Sequence, residues 1–123
     1  MLEDYKKHCK EREEMGIPPL PLDAEQTAAV INLLKKEHDE NVLLLHLLKE
    51  RVPAGVDDAA YVKAGFLSDL TKGKTESPYI TKEDAVAILG TMLGGYNIQP
   101  LIDCLEIDGL ADDAANALGN TLL

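Results

Sequence analysis

The stretch NVLLLHLLKERVPAG at residues 41–55 decides the fold class. Over residues 41–51 its apolar side chains occupy nearly every side of a helix, and Pro53 and Gly55 then end that helix. A helix that is apolar almost all round is buried by its neighbours. We therefore predict that residues 42–48 form the central, mostly buried helix of an all-helical protein.

Before this stretch, the sequence predicts a charged helix, an extended connector and a capped helix. The first helix covers residues 2–15 and ends at Gly16. The prolines that follow keep residues 17–22 extended, so this connector packs on the body through its apolar side chains. Those side chains are Ile17, Leu20 and Leu22. Asp23 and Gln26 then form a capping-box pattern that starts the next helix.

After the stretch, turn residues separate four more helical segments. Their predicted starts are Asp57 or Asp58, Thr81, Asn97 and a point near Leu110. Thr81 and Asp84 have capping-box spacing, and negative charge at Asp57 suits the positive end of a helix dipole. Gly94 and Gly95 are suited to a corner between helices, where a positive φ is needed.

The chain as a whole is predicted to be all-α. No segment shows a sustained alternation of apolar and polar residues, so no strand is predicted. About seven short helices, joined by short turns, are expected to form antiparallel pairs in an α-hairpin array. A faint repeat supports this, since Leu89-Gly90 matches Leu118-Gly119 at an offset of 29 residues (118 − 89).

Charge and cysteine content limit the classes of function. The formal net charge is −10, which argues against nucleic acid and anionic membranes as partners. The charged start of the chain is unlike a signal peptide, and no apolar run is long enough to span a bilayer. Cys9 and Cys104 lie in helical segments without metal-type spacing. We expect a cytoplasmic protein with buried free thiols.

The residues that could carry chemistry do not converge. His8 and Cys9 are adjacent and point about 100° apart on a helix, so they cannot easily face one metal. His46, in the leucine-rich helix, is expected at the edge of the core, and His38 has no ligand spacing with it. The paired carboxylates fall near helix ends or on solvated faces. The residues alone therefore predict a soluble helical module for interaction.

The last predicted helix carries an apolar face that we interpret as a docking surface. The candidate residues are Leu110, Ala114, Ala117, Leu118 and Leu122. This helix closes on apolar residues, without the glycine, asparagine or basic residue that commonly ends one. We expect the chain to belong to a longer protein and this face to dock onto the rest of it or onto a second subunit.

Four ordered blocks of sequence resemble the start of the B-type bacterial aconitases. They are MLEDYKKHCKEREEMGIPPLPLDAEQTAAVINLL at 1–34, ERVPAGVDDAAYVKAGFLSDLTKG at 50–73, LGTMLGGYNIQPLIDCL at 89–105 and ALGNTLL at 117–123. The resemblance covers essentially the whole chain. It departs at Gln99, where some relatives are expected to have histidine, so a shared role of position 99 is in doubt.

The resemblance implies a single HEAT-like domain over residues 1–123, a right-handed helical array at the amino-terminal end of a longer multidomain enzyme. Such an enzyme interconverts citrate and isocitrate through cis-aconitate in the tricarboxylic acid cycle and also dehydrates 2-methylisocitrate. Its 4Fe–4S cluster is held by three cysteines that lie downstream, so the resemblance implies no catalytic, cofactor or metal residue in this chain. The implied partners are the remaining domains and a second subunit in a homodimer.

Three functional interpretations stay open from the sequence. The first is an association domain of a multidomain lyase that also covers the entrance to the active site. The second is a free-standing helical adaptor. The third is an enzyme in its own right, against which the missing catalytic constellation argues.

Overall fold

Seven α-helices account for most of the described chain. The computed structural model describes residues 1–53 and 55–122, with the backbone alone for residues 121 and 122. No strand occurs in those ranges, so the all-helical prediction is confirmed. The helices are α1 (Leu2–Glu14), α2 (Ala24–Leu34), α3 (Asn41–Glu50), α4 (Asp58–Thr71), α5 (Lys82–Gly90), α6 (Ile98–Cys104) and α7 (Ala111–Leu122).

Both predicted capping boxes form. The carboxylate of Asp23 accepts the Gln26 backbone N–H at 2.7 Å, and the Gln26 side chain accepts the Asp23 N–H at 3.0 Å. Thr81 and Asp84 make the same reciprocal pair at 3.0 and 3.1 Å. These bonds satisfy backbone donors that a helix start leaves unpaired. They fix the first residues of α2 and α5 at the positions expected from the sequence.

The connector over residues 17–22 is extended as predicted, but it packs on the body differently. Gly16, with φ 73°, ends α1. Of the three apolar side chains expected to pack, Leu22 is buried, while Ile17 and Leu20 are exposed. The prediction is therefore wrong for those two residues, because prolines restrict the direction of the chain and hydrogen bonds decide which side faces the body.

Polar groups of α1 and of the end of α3 hold this connector. The Leu20 N–H donates to Nε2 of His8 at 3.0 Å. The Arg51 guanidinium donates to the Pro19 carbonyl at 2.8 Å, and the Leu22 N–H donates to the Arg51 carbonyl at 2.9 Å. The buried Tyr5 hydroxyl also accepts from Arg51. The connector is thus fixed through its backbone, which sequence periodicity does not reveal.

Three helices, α2, α4 and α6, form one layer and run in the same direction. The starts of α2 and α4, at residues 23–25 and 57–59, line a single pocket. The rings of Tyr61 and Tyr96 lie 5.4 Å apart and join the starts of α4 and α6. An ion pair of 3.0 Å between Lys72 and Asp103 joins their ends.

Each of the helices α3, α5 and α7 directly follows one of these three in the chain. Together they pack against the first layer as a second one. α3 contacts α2, α5 contacts α4, and α7 contacts both α5 and α6. Lys63 near the start of α4 lies beside Met92 just after α5, so α4 and α5 run antiparallel. This pair therefore has the expected α-hairpin form, and the array of such pairs over the whole chain stays a prediction. The right-handed sense of the array stays a prediction.

α4 is more central and more deeply buried than α3, so the prediction for residues 42–48 is wrong. α4 contacts α2, α5 and α6, whereas α3 buries one face at Leu44, Leu47 and Leu48. Val42, on the opposite side of α3, is 78% exposed. The many leucines show that α3 is apolar, but they do not show how many helices surround it. In contrast, α4 carries small residues that let several helices approach it closely. Those residues are Ala59, Ala60 and Ala64, all buried.

The faint repeat corresponds to two neighbouring helices of the second layer. Leu89 of α5 and Leu118 of α7 are both buried, and so are Ala85 and Ala114 at the same offset. Gly90 of α5 faces α7, where an added Cβ would stand 3.0 Å from the Cβ of Ala117. The repeat therefore marks equivalent helices that pack on each other. None of the helices in the described ranges has the length and apolarity needed to cross a membrane.

Candidate protein-interaction surfaces

The predicted docking face of α7 lies mostly inside this chain. Leu110, Ala114 and Leu118 are buried, with exposed fractions of 2%, 0% and 9%. Ala117 is half-buried, and the side chain of Leu122 lies outside the described residues. An apolar stripe at every fourth position predicts burial, but it does not say against which partner. Here α5 and α6 cover the stripe, so these three side chains are not free to dock.

The histidines and cysteines do not meet at one place. His8 accepts the connector N–H described above, and Nδ1 of His38 accepts the Glu40 N–H at 3.0 Å. His46 is exposed on α3, not at the edge of the core as predicted. Cys104 is buried as expected, but Cys9 is only half-buried. Within the described ranges, no three metal-ligating side chains come together.

A groove lies on the open side of the first layer. It has a volume of about 640 Å³, with α4 as its floor and α2 and α6 at its sides. The lining is mainly apolar or small, with Tyr61 and Tyr96 at one end. Its other lining residues are Ala28, Ile31, Asn32, Lys35, Val62, Ala64, Gly65, Phe66, Ser68, Asp69, Gly95, Gln99 and Pro100. Among these lining residues, the aromatic ones (Tyr61, Tyr96 and Phe66) are of the types enriched in protein interfaces.

The two tyrosines at the groove are fixed differently. The Tyr96 hydroxyl donates to the Val56 carbonyl at 3.2 Å, which ties the corner after α5 to the loop before α4. The Tyr61 ring packs edge-on against Tyr96 and is itself 64% exposed. The exposed side chains of Val56 and Leu93 belong to the same two segments. The sequence pattern alone singles out neither tyrosine for a binding role.

Gln99 has a structural role on α6. Its side-chain N–H donates to a carboxylate oxygen of Asp103 at 2.8 Å, and the other carboxylate oxygen pairs with Lys72. The Lys72 ammonium, together with Gln99, lowers the pKa of Asp103. Position 99 therefore orients the carboxylate that links the ends of α4 and α6.

Four carboxylates gather where α2 and α4 begin. Asp23, Glu25, Asp57 and Asp58 line a pocket of about 520 Å³ next to the groove. Asp23 caps α2, whereas the side chain of Asp57 makes no capping bond to α4. Negative charge is favourable at the positive ends of these helices. This pocket therefore makes one end of the groove acidic.

Lys63 and Asn97 are polar side chains buried at the joints between helices. Lys63, 4% exposed, directs its ammonium to the Lys49 carbonyl at 3.4 Å, in the last turn of α3. Burial lowers the pKa of Lys63 to about 8, against a smaller opposing effect of Glu50. Asn97 sits at the predicted start of α6, but its side chain does not cap that helix. Its amide donates to carbonyls at the end of α5, at 2.8 and 3.2 Å.

The fold and its surfaces define a class: an all-helical module of seven helices in the described ranges, with an open groove lined by α2, α4 and α6. Residues 4–123 match the family model described as the aconitate B N-terminal domain. The chain belongs to this family, as its resemblance to the B-type bacterial aconitases had indicated.

The relatives have the name aconitate hydratase B. The Escherichia coli (strain K12) protein is 57% identical over 124 residues, which cover 100% of this chain and 14% of that protein. The Pseudomonas aeruginosa protein is 53% identical and the Synechocystis protein 50% identical, each with 100% of this chain and 14% of the relative covered. The chain thus spans about 14% of the length of these relatives.

Proposed function

We propose that this chain is the non-catalytic amino-terminal domain of an aconitate hydratase of the B type. Such an enzyme would interconvert citrate and isocitrate through cis-aconitate and would also dehydrate 2-methylisocitrate. The observation that carries the proposal is the family match across residues 4–123. It is supported by 57% identity to a protein named aconitate hydratase B.

The residues of this chain do not fit the 4Fe–4S cluster of the parent enzyme. A cluster held at three corners needs three thiolates, and the chain has two cysteines. Cys104 is buried among the helices at the end of α6, and Cys9 lies on α1. We therefore assign the cluster and the chemistry to the downstream domains and assign association and active-site access to this one.

The outer side of α7 is our candidate for the contact with the remaining domains or with a second subunit. The stripe predicted from the sequence is covered, but Ala115 and Gly119, about 100° around the helix from the stripe, are exposed. Such small residues allow another helix to approach closely. We propose a cytoplasmic protein without nucleic-acid contacts through this domain, since its net charge is −10.

The test compares the full-length enzyme with a version that lacks residues 1–123. We expect the shortened enzyme to keep its cluster but to change its assembly or its apparent KM in a cis-aconitate absorbance assay. The isolated chain, after anaerobic treatment with iron and sulfide, should neither take up a cluster nor hydrate cis-aconitate. Activity in the isolated chain, or unchanged assembly and kinetics after deletion, would contradict the proposal.

A paired substitution locates the contact. Ala115→Glu with Gly119→Glu places two charges on the outer side of α7 and should weaken assembly of the full-length enzyme. Val42→Glu with His46→Glu is the matched control, because both positions are exposed and one turn apart on α3. Equal effects of the two pairs would place the contact elsewhere. A free-standing adaptor is the alternative, and a gene that stops after Leu123 would favour it.

A further inference from the structure

We propose that the groove over α4 binds a basic amphipathic helix of another protein. The apolar face of that helix would enter the groove, and its Lys and Arg side chains would meet the carboxylates at the acidic end. This inference goes beyond the role in the parent enzyme, because it assigns a second partner to a different layer of the molecule from α7.

The floor of the groove contains a glycine that the chain's own packing does not require. Gly65 lies in the interior of α4 and faces the groove, and a Cβ added there would meet nothing within 4 Å. Glycine within a helix is less stable there than alanine, because it loses more conformational freedom on folding. At Gly90 a neighbouring helix explains the missing side chain, but at Gly65 no part of the described chain does. A bound helix from another protein, packed against Gly65, would explain why a side chain is missing there.

The floor of the groove suits a helix. Packed helices lie about 8–10 Å apart, and small residues at the contact allow the shorter of these distances. Ala64 and Gly65 are adjacent small residues in the part of the lining that α4 contributes. An extended strand is disfavoured, because strand addition needs an exposed sheet edge and the described ranges contain no strand.

The aromatic end of the groove supplies anchors for such a helix. Tyr61 offers a largely exposed ring, and its edge-on contact with Tyr96 limits the freedom that binding would remove. Tyrosine is enriched among the residues that dominate the energy of protein interfaces. The hydroxyl of Tyr96 is already bonded within the chain, so its ring faces the groove as an apolar surface.

Charge determines the chemistry of the partner. Asp23, Glu25, Asp57 and Asp58 lie one turn from the start of the groove. Complementary charge directs encounter and orientation in such complexes, so the helix should be basic at the end that meets these residues. A second copy of this chain is a poor occupant, since it would also bring a net charge of −10.

The first experiment selects binders from a phage-displayed library of single amphipathic helices, with this chain as the target. The Tyr61→Ala variant serves for counter-selection. We expect the selected helices to carry apolar residues at every third or fourth position and Lys or Arg clustered at one end. Acidic or uncharged binders, extended binders, a failure to select any binder, or binders that ignore Tyr61→Ala would overturn the proposal.

The second experiment measures the affinity of a selected peptide for variants of the chain. Tyr61→Ala and Gly65→Leu should each weaken binding about tenfold or more, the size expected for residues at the centre of an interface. Val42→Ala, an exposed apolar residue on α3, is the control and should bind like the original chain. Circular dichroism confirms that each variant stays folded, and Gly65→Ala provides a second probe if Gly65→Leu does not.

The charge is tested separately. Asp57→Asn with Asp58→Asn should weaken the basic peptide about tenfold at low salt and reduce the dependence of its affinity on salt. Neither side chain makes a capping bond that the substitution would remove. An unchanged affinity and salt dependence would remove the charge argument and with it the basic partner.

Discussion

Lys63→Met should change how the stability of the protein depends on pH. Lys63 is almost fully buried between α4, the end of α3 and the end of α5. Among the described residues, the hydrogen bond of its ammonium is a long one of 3.4 Å to the Lys49 carbonyl. Methionine keeps most of the apolar stem and removes the charge. The substitution therefore isolates the free energy of burying that charge.

The magnitude follows from the lowered pKa. Burial moves the pKa of Lys63 from 10.5 to about 8, and each tenfold change in proton affinity corresponds to about 1.4 kcal/mol. The charged form is thus disfavoured in the folded protein by about 3 kcal/mol. Between pH 8 and 10.5 the unfolded chain carries more protons on Lys63 than the folded chain does. The contribution of Lys63 to the free energy of unfolding therefore rises with pH in that window and is constant below it.

The assay is urea denaturation followed by circular dichroism at several pH values from 7 to 10.5. The Met variant should be more stable than the original chain at pH 7, and the gap should shrink by about 3 kcal/mol by pH 10.5. Comparing the two chains at each pH cancels the ionisation of cysteine and tyrosine. The exposed Lys49→Met provides the control and should give a gap that does not vary. A constant or widening gap for Lys63→Met would refute the reasoning.

The remaining predictions concern stability and use the same urea assay at pH 7. Gly94→Ala should unfold the protein or cost more than about 3 kcal/mol, because its Cβ would overlap the backbone of the facing turn; Gly95→Ala, at a similar φ but in open space, should cost about 1–2 kcal/mol. Leu44→Ala should cost about 2–5 kcal/mol, while the half-buried Leu45→Ala should cost clearly less. Asn97→Ala should cost about 2–4 kcal/mol, since it removes two buried hydrogen bonds to the carbonyls of Leu89 and Met92. Equal losses of stability at Gly94 and Gly95 would contradict the close packing described for Gly94. Equal losses at Leu44 and Leu45 would contradict the difference in burial between these two residues.

The elements that could be predicted from the sequence depend on interactions within one helical turn. A capping box joins residues three apart, so the local sequence is enough to predict where such a helix begins. This holds for Asp23 with Gln26 and for Thr81 with Asp84. The stop at Gly16 is equally local, because only glycine readily takes its positive φ. Interactions within one helical turn depend little on how the rest of the chain packs, so they can be predicted from the sequence.

The errors came from features that depend on distant parts of the chain. Apolar content identified α3 as buried, but which helix is central depends on how many neighbours can approach it, and small residues give α4 that place. The stripe on α7 was correctly identified as apolar, yet α5 and α6 already cover it. Tyr61 and Gly65 line the groove, and the groove exists only because α2 and α6 flank α4 in the folded chain. The one available signal was a glycine inside a helix without a turn to explain it.

The two layers of the fold explain how one small module could serve two partners independently. The groove belongs to α2, α4 and α6, whereas the proposed contact with the parent enzyme belongs to the outer side of α7 in the other layer. Substitutions at separated sites without shared partners usually act additively. Variants at Tyr61 should therefore weaken the basic helix and leave assembly unchanged, and variants at Ala115 should do the reverse.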